Sequence, residues 1–238
     1  VNWGNFTLGI KAFRGCANMI CTATDSPILS GSISEAFRYC TNFTADLSGW
    51  NVSAITSAGF MFEGCTYFDS DLSSWNVANV TTFGSMFQGC SSFTSDLSSW
   101  NVSSATNLGY MFLGAGSFTS DLSGWNTSSV TNMNSMFFNA VSFTSDLSGW
   151  VVSNVTTFNS LFRNAPLFDS DISSWNISNI TNMTNMFLGS GFSPSNYEAA
   201  MAAWATLPAL QENVPFHAGT ACLVFGSPGD TFEDYAIT

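Results

Sequence analysis

Six tryptophans stand at one fixed interval: Trp50, Trp75, Trp100, Trp125, Trp150 and Trp175 are each 25 residues apart. Asp46, Asp71, Asp96, Asp121, Asp146 and Asp171 keep the same step, as do Leu47, Leu72, Leu97, Leu122, Leu147 and Ile172. One Phe column runs Phe37, Phe62, Phe87, Phe112, Phe137, Phe162 and Phe187, with Phe13 one residue out of step. A second runs Phe43, Phe68, Phe93, Phe118, Phe143 and Phe168, and Thr56, Thr81, Thr106, Thr131, Thr156 and Thr181 form a Thr column. The register holds without insertion from about Ala36 to Gly189. Such a period marks a stack of like units, none of which can bury its own apolar side chains alone. The predicted fold class is a β-solenoid of about seven 25-residue coils, each with a short strand and a short helical turn, capped at both ends.

Within a coil, Phe93–Trp100 reads as extended, because Ser, Thr and Asp disfavour a helix interior. Asn101–Asn107 is turn-rich, and Met86-Phe87-Gln88-Gly89-Cys90 suits a short helical or 3₁₀ piece closed by Gly. Coils stacked at the ~4.8 Å strand spacing would complete one another's cores. The columns set the boundaries: 1–35 as an N-terminal cap with one degenerate coil, 36–190 as the regular array, and 191–238 as a C-terminal cap. In that last cap Tyr197–Leu207 is expected as a helix with Ser195 as N-cap, stopped by Pro208.

The stretch MFQGCSSFTSDLSSWNVSSATNLGYMF resembles the repeat of a bacterial surface-protein and lipoprotein family related to BspA-like leucine-rich repeats. The end of the chain is similar too: Ser195-Asn-Tyr-Glu, Trp204, Leu210-Gln211, Val214, Phe216, Ala218-Gly219 and the closing Ala236-Ile-Thr. The resemblance implies a right-handed, leucine-rich-repeat-like solenoid that is exported and displayed at a cell surface. That family has no shared catalytic residues to carry over.

Composition narrows the function classes. Only 8% of residues are charged and the net charge is −12, with four Lys and Arg in total, so no basic stripe exists to bind nucleic acid. No apolar run approaches the ~18 residues of a membrane-spanning helix, so membrane insertion is not expected. A single histidine, His217, argues against His-based catalysis and multi-His metal sites. No nucleophile–base pair or Gly-rich phosphate loop is found, and acid pairs such as Asp69/Asp71 imply no cleft, so the chain reads as a non-enzyme without cofactor or metal. The first residue is Val1 rather than Met, as expected of a chain that has lost a leader or been trimmed.

Cysteines and sequons fit an oxidising, extracellular setting. Cys16, Cys40, Cys65 and Cys90 share one column, and neighbouring coils bring Cα atoms within the disulfide window. Two bridges are then open, Cys16–Cys40 and Cys65–Cys90, or one Cys40–Cys65 with two free thiols. The alternative is simple packing, since Ala115, Ala140 and Ala165 fill the same column. Cys21 and Cys222, one in each cap, could be free, could pair locally, or could join one copy to the next. Asn5, Asn42, Asn51, Asn79, Asn101, Asn126, Asn154, Asn176, Asn179 and Asn182 are candidate N-glycosylation acceptors, although a Ser/Thr/Asn-rich repeat creates sequons without selection.

Three columns invite chemistry. Carboxylates ~4.8 Å apart repel by about 3.5 kcal/mol at an effective dielectric of 20. The Asp ladder should therefore accept hydrogen bonds from backbone N–H groups and from the Ser48–Ser173 column, a structural capping role favoured over calcium. The Trp ladder is expected to pack with its N–H on a carbonyl, ahead of a sugar-binding role. The Thr ladder is expected to bond backbone in a turn, ahead of an ice-binding role. The leading expectation is an exported structural solenoid, a subunit of an extracellular fibre or surface coat that assembles head to tail with itself, with Ala221–Phe225 as a docking strand. The alternative is a monomeric cell-surface adhesin or binding module for a glycan or protein.

Overall fold

The computed structural model describes residues 3–23, 25–208, 210–211, 214–218 and 221–225 of the 238, with side chains except at 217–218 and 221–225. Parallel pairs join β1 (Thr7–Leu8) to β2 (Ile28–Leu29) and β3 (Gly31–Ser32) to β4 (Ile55–Ser57). Single parallel bridges continue from Ser57 to Thr82, Asn107 and Asn132, then from Thr157 to Asn182. At the far end α1 (Pro194–Trp204) precedes an antiparallel hairpin of β5 (Val214–Ala218) and β6 (Ala221–Phe225), and Met183 bridges Phe216 of β5.

The apolar columns pack coil upon coil. Rings of the Phe37–Phe187 column lie 5.8–6.0 Å from the next, with planes 5–13° apart. Within a coil the paired rings, such as Phe112 and Phe118, approach to 3.6–4.4 Å. Phe13 takes its place on Phe37 despite its missing residue, and Phe192 extends the second column beyond Phe168. Trp3 and Phe6, stacked on each other, meet Phe13 at tilted angles at the near end, where the Asp25 carboxylate accepts the N–H groups of Trp3 and Gly4 at 2.8 Å. Each fully buried ring contributes roughly 1.5–3 kcal/mol, and most of that burial exists only because a neighbouring coil covers it.

Two local expectations change. The short helical turn is a run of tight turns. Glu35, Phe37 and Tyr39 donate N–H to Gly59, Met61 and Glu63 of the next coil at 2.7–3.0 Å. The residues between them, Ala36, Arg38 and Cys40, donate three positions back. That alternation needs a left-handed residue twice per coil, at Glu35, Phe60, Ser85 and Tyr110 in one column and at Tyr39, Gly64, Gly89 and Gly114 in the other. A helix, which needs right-handed dihedrals throughout, cannot form across them.

The strand expected over Phe93–Trp100 is also absent. A serine from the next coil intervenes: Leu97 donates its N–H to Ser120 Oγ at 2.8 Å, so backbone does not meet backbone there. The strand-like contact falls instead on Thr82, Asn107 and Asn132. The helix starts earlier than expected, with Ser193 as N-cap and Pro194 in its first turn, and it buries Ala200, Met201 and Trp204. The tail 226–238 lies outside the described residues.

Candidate functional site

The Asp ladder is a capping device. In each coil from Asp46 to Asp171 an Oδ1 accepts the N–H of the serine two residues on, at 2.9 Å. The hydroxyls that join it come mainly from a column the sequence reading passed over. Ser120, Ser145 and Ser170 donate Oγ to Asp96, Asp121 and Asp146 of the preceding coil at 2.8–3.0 Å. The same hydroxyl oxygens accept the Leu97, Leu122 and Leu147 N–H groups. The N–H two residues on, with the serine hydroxyls, holds Asp46, Asp71, Asp96, Asp121 and Asp146 below the usual carboxylate range. A sequence signal existed: Ser70, Ser95, Ser120, Ser145 and Ser170 also recur at 25 residues. Ala45 holds that position in the one coil whose predecessor offers Cys21 where an aspartate would stand. No group of three or more His, Cys, Asp or Glu side chains among the described residues could hold a metal ion.

The Trp ladder from Trp50 to Trp175 is only 1–6% exposed, which leaves no ring face for a sugar. Trp75, Trp100, Trp125, Trp150 and Trp175 donate Nε1–H to Leu47, Leu72, Leu97, Leu122 and Leu147 carbonyls at 2.9–3.0 Å. The Thr ladder is exposed, and each member from Thr81 on donates both N–H and Oγ–H to the carbonyl of the Thr before it.

Among the described residues the sulfurs of Cys16, Cys21, Cys40, Cys65 and Cys90 are unbridged. Cys40, Cys65 and Cys90 are buried, and each donates Sγ–H at 3.0 Å to a Phe carbonyl, of Phe13, Phe37 and Phe62 respectively. Cys16 is exposed and Cys21 half-buried; the Cys222 side chain, and with it the proposed Cys21–Cys222 link, lies outside the described residues, as does the side chain of His217.

The sequons divide by what their amides do. Asn79, Asn154 and Asn179 spend Nδ2, the glycan-bearing atom, on carbonyls of the preceding coil at 2.7–2.8 Å. Asn42 donates Nδ2 to Asn18, and half-buried Asn182 accepts the Thr184 N–H. Asn51, Asn101, Asn126 and Asn176 are exposed and use Oδ1 to accept the N–H two residues on, and Asn5 is exposed near the first coil.

One cluster escaped the sequence reading. Arg38 lies 2.7 Å from Glu63 and 3.1 Å from Glu35, which also meets Arg14 and Lys11. Its guanidinium sits between the rings of Tyr39 and Phe60. Burial works against that charge, and hydrogen bonds to Glu63 and Glu35 more than offset it. Arg38 and Glu63 share one column 25 residues apart, which was the available signal. The concavity lined by Ile177, Ile180, Met183, Leu210, Gln211 and Val214 has room for no more than about one water.

No curated protein and no solved structure matches the chain. Residues 31–126 and 100–204 each match the same family, so the matches together span well over half of the 238 residues. A chain built of these stacked repeats belongs to the family described as Mycoplasma protein of unknown function, DUF285.

Proposed function

We propose that this chain is a non-enzymatic structural solenoid, related to the BspA-like leucine-rich repeats and exported to a cell surface, whose copies join end to end. One observation carries the reading: strand pairing begins at β1 and ends at β6, which joins β5 antiparallel, and among the described residues no strand pairs with the outer edge of either. Open strand edges take up further strands. An edge at each end makes the contact heterologous, and such contacts build filaments when they do not close. The apolar β6 sequence Ala221-Cys-Leu-Val-Phe225 suits the docking role. Sedimentation and electron microscopy of the native chain test it. Filaments are expected, with assembly lost in Leu223→Pro at one end and in Thr7→Pro at the other. Monomers at every concentration would overturn it.

A second reading, a monomeric adhesin, draws on the exposed rings of Tyr39, Phe60, Tyr67 and Tyr110. Monomers that bind a glycan array, and lose binding in Tyr67→Ser, would favour it.

A further inference from the structure

We propose that Cys16 and Cys40 form a modification site, a disulfide made by reaction with a small-molecule disulfide such as oxidised glutathione, which ties the first coil to the second while Cys65 and Cys90 stay reduced. The geometry singles out this pair. Cys16 N–H and Cys40 Sγ–H both donate to the Phe13 carbonyl, each at 3.0 Å, so the two residues meet on one oxygen across the coil junction. Accessibility then divides the column. Cys16 is exposed, whereas Cys40, Cys65 and Cys90 are each 0% exposed. Within this column a soluble oxidant reaches Cys16 alone, and the next thiol is Cys40. Cys65 and Cys90 have no exposed column neighbour, and their thiol protons rest on the Phe37 and Phe62 carbonyls.

Balanced chemistry takes two exchanges. The Cys16 thiolate attacks one sulfur of oxidised glutathione, the glutathione S–S bond breaks, and one glutathione leaves as a thiolate that takes up a proton. The Cys40 thiolate then attacks Cys16 Sγ and expels the second glutathione. Two protein thiols are oxidised and one glutathione disulfide is reduced to two thiols. Burial pushes the Cys40 thiol up to about 11. The second exchange is therefore the slow one and quickens as the pH rises. The place matters because, among the described residues, the first coil packs against one neighbouring coil only, through Lys11, Phe13 and Gly15 N–H bonds to Ser34, Ala36 and Arg38. End units of stacked repeats are the first to open.

The test treats the full chain with oxidised glutathione, then maps peptides without reduction and follows amide hydrogen exchange. A Cys16–Cys40 peptide is expected, with an intact mass lower by about 2 Da, and Cys65 and Cys90 alkylated only after unfolding. Exchange at Lys11, Phe13 and Gly15 should slow by about tenfold or more. Cys65→Ser should leave the bridge intact, and Cys16→Ser should leave Cys40 unreactive in the folded chain. A Cys16–Cys21 peptide, a lasting Cys16–glutathione adduct, a Cys16-linked dimer, or a bridge to Cys65 or Cys90 would each overturn it.

Discussion

The two sides of one coil are joined to the next coil by different means. Around Glu35–Tyr39 and its equivalents, backbone N–H meets backbone C=O directly. Around Asp46–Trp50 and its equivalents the junction is made by side chains: a serine hydroxyl between Leu and Asp, and an indole N–H on a leucine carbonyl. The kind of joint decides which residues the repeat must keep. Where side chains make the joint, residue type is held through the array, with Trp and Asp unchanged in six coils and Ser in five. Where backbone makes it, a side chain that does not fill the Phe37–Phe187 core column drifts: the column of Glu35 reads Glu35, Phe60, Ser85, Tyr110, Ser135, Ser160 and Asn185. There only the left-handed dihedral is shared.

Substitutions on the two sides should differ in cost. The largest loss is expected where both sides depend on one ring. Phe112→Ala removes a buried ring stacked between Phe87 and Phe137 and should cost about 3–5 kcal/mol in a denaturant titration. On the backbone-joined side, Gly64→Ala should cost about 2–3 kcal/mol, because its φ is +73° and a Cβ there would stand 2.7 Å from Tyr39 Cδ1. Gly89→Ala has the same dihedral problem without the clash, and about 1–2 kcal/mol is expected. Equal costs for the two would deny the role given to Tyr39.

Next comes a matched pair across the sides. Ser120→Ala strands the buried Leu97 N–H and should cost about 1–2 kcal/mol. Gln88→Ala keeps its carbonyl bond from Gly64 N–H and should fall within about 0.5 kcal/mol of the parent.

The smallest effect is electrostatic. Asp46, Asp71, Asp96, Asp121 and Asp146 are depressed in the folded chain, chiefly by the backbone N–H two residues on. Their contribution is present above the ordinary carboxylate value and is lost as pH falls through the depressed one. Melting temperature should decline from about pH 4 downward, and Asp96→Asn, which keeps an acceptor oxygen, should flatten that decline slightly.

Much of this was legible because columns at a fixed period report which side chains are stacked. The Phe, Trp and Asp ladders, and the indole N–H on a carbonyl, follow from Trp50–Trp175 and their neighbours. What escaped was backbone conformation. Met86–Cys90 has the apolar content of a helical turn, and nothing in Ser85 or Tyr110 announces a positive φ. Phe93–Trp100 has the look of a strand, and the hydroxyl that displaces its pairing comes from the next coil. The ion cluster at Arg38 was missed because it occurs once, at the near end, and a search for recurrence passes over single events.

The 25-residue coil is the structural unit, and residues 25 apart are neighbours. Removing residues 101–125 takes out one coil in register, whereas removing residues 101–120 takes out most of one and shifts every later column. Far-ultraviolet and tryptophan spectra with thermal melts should show the first variant folded and cooperative, with a lower midpoint, and the second unfolded. Equal damage from the two deletions would contradict it.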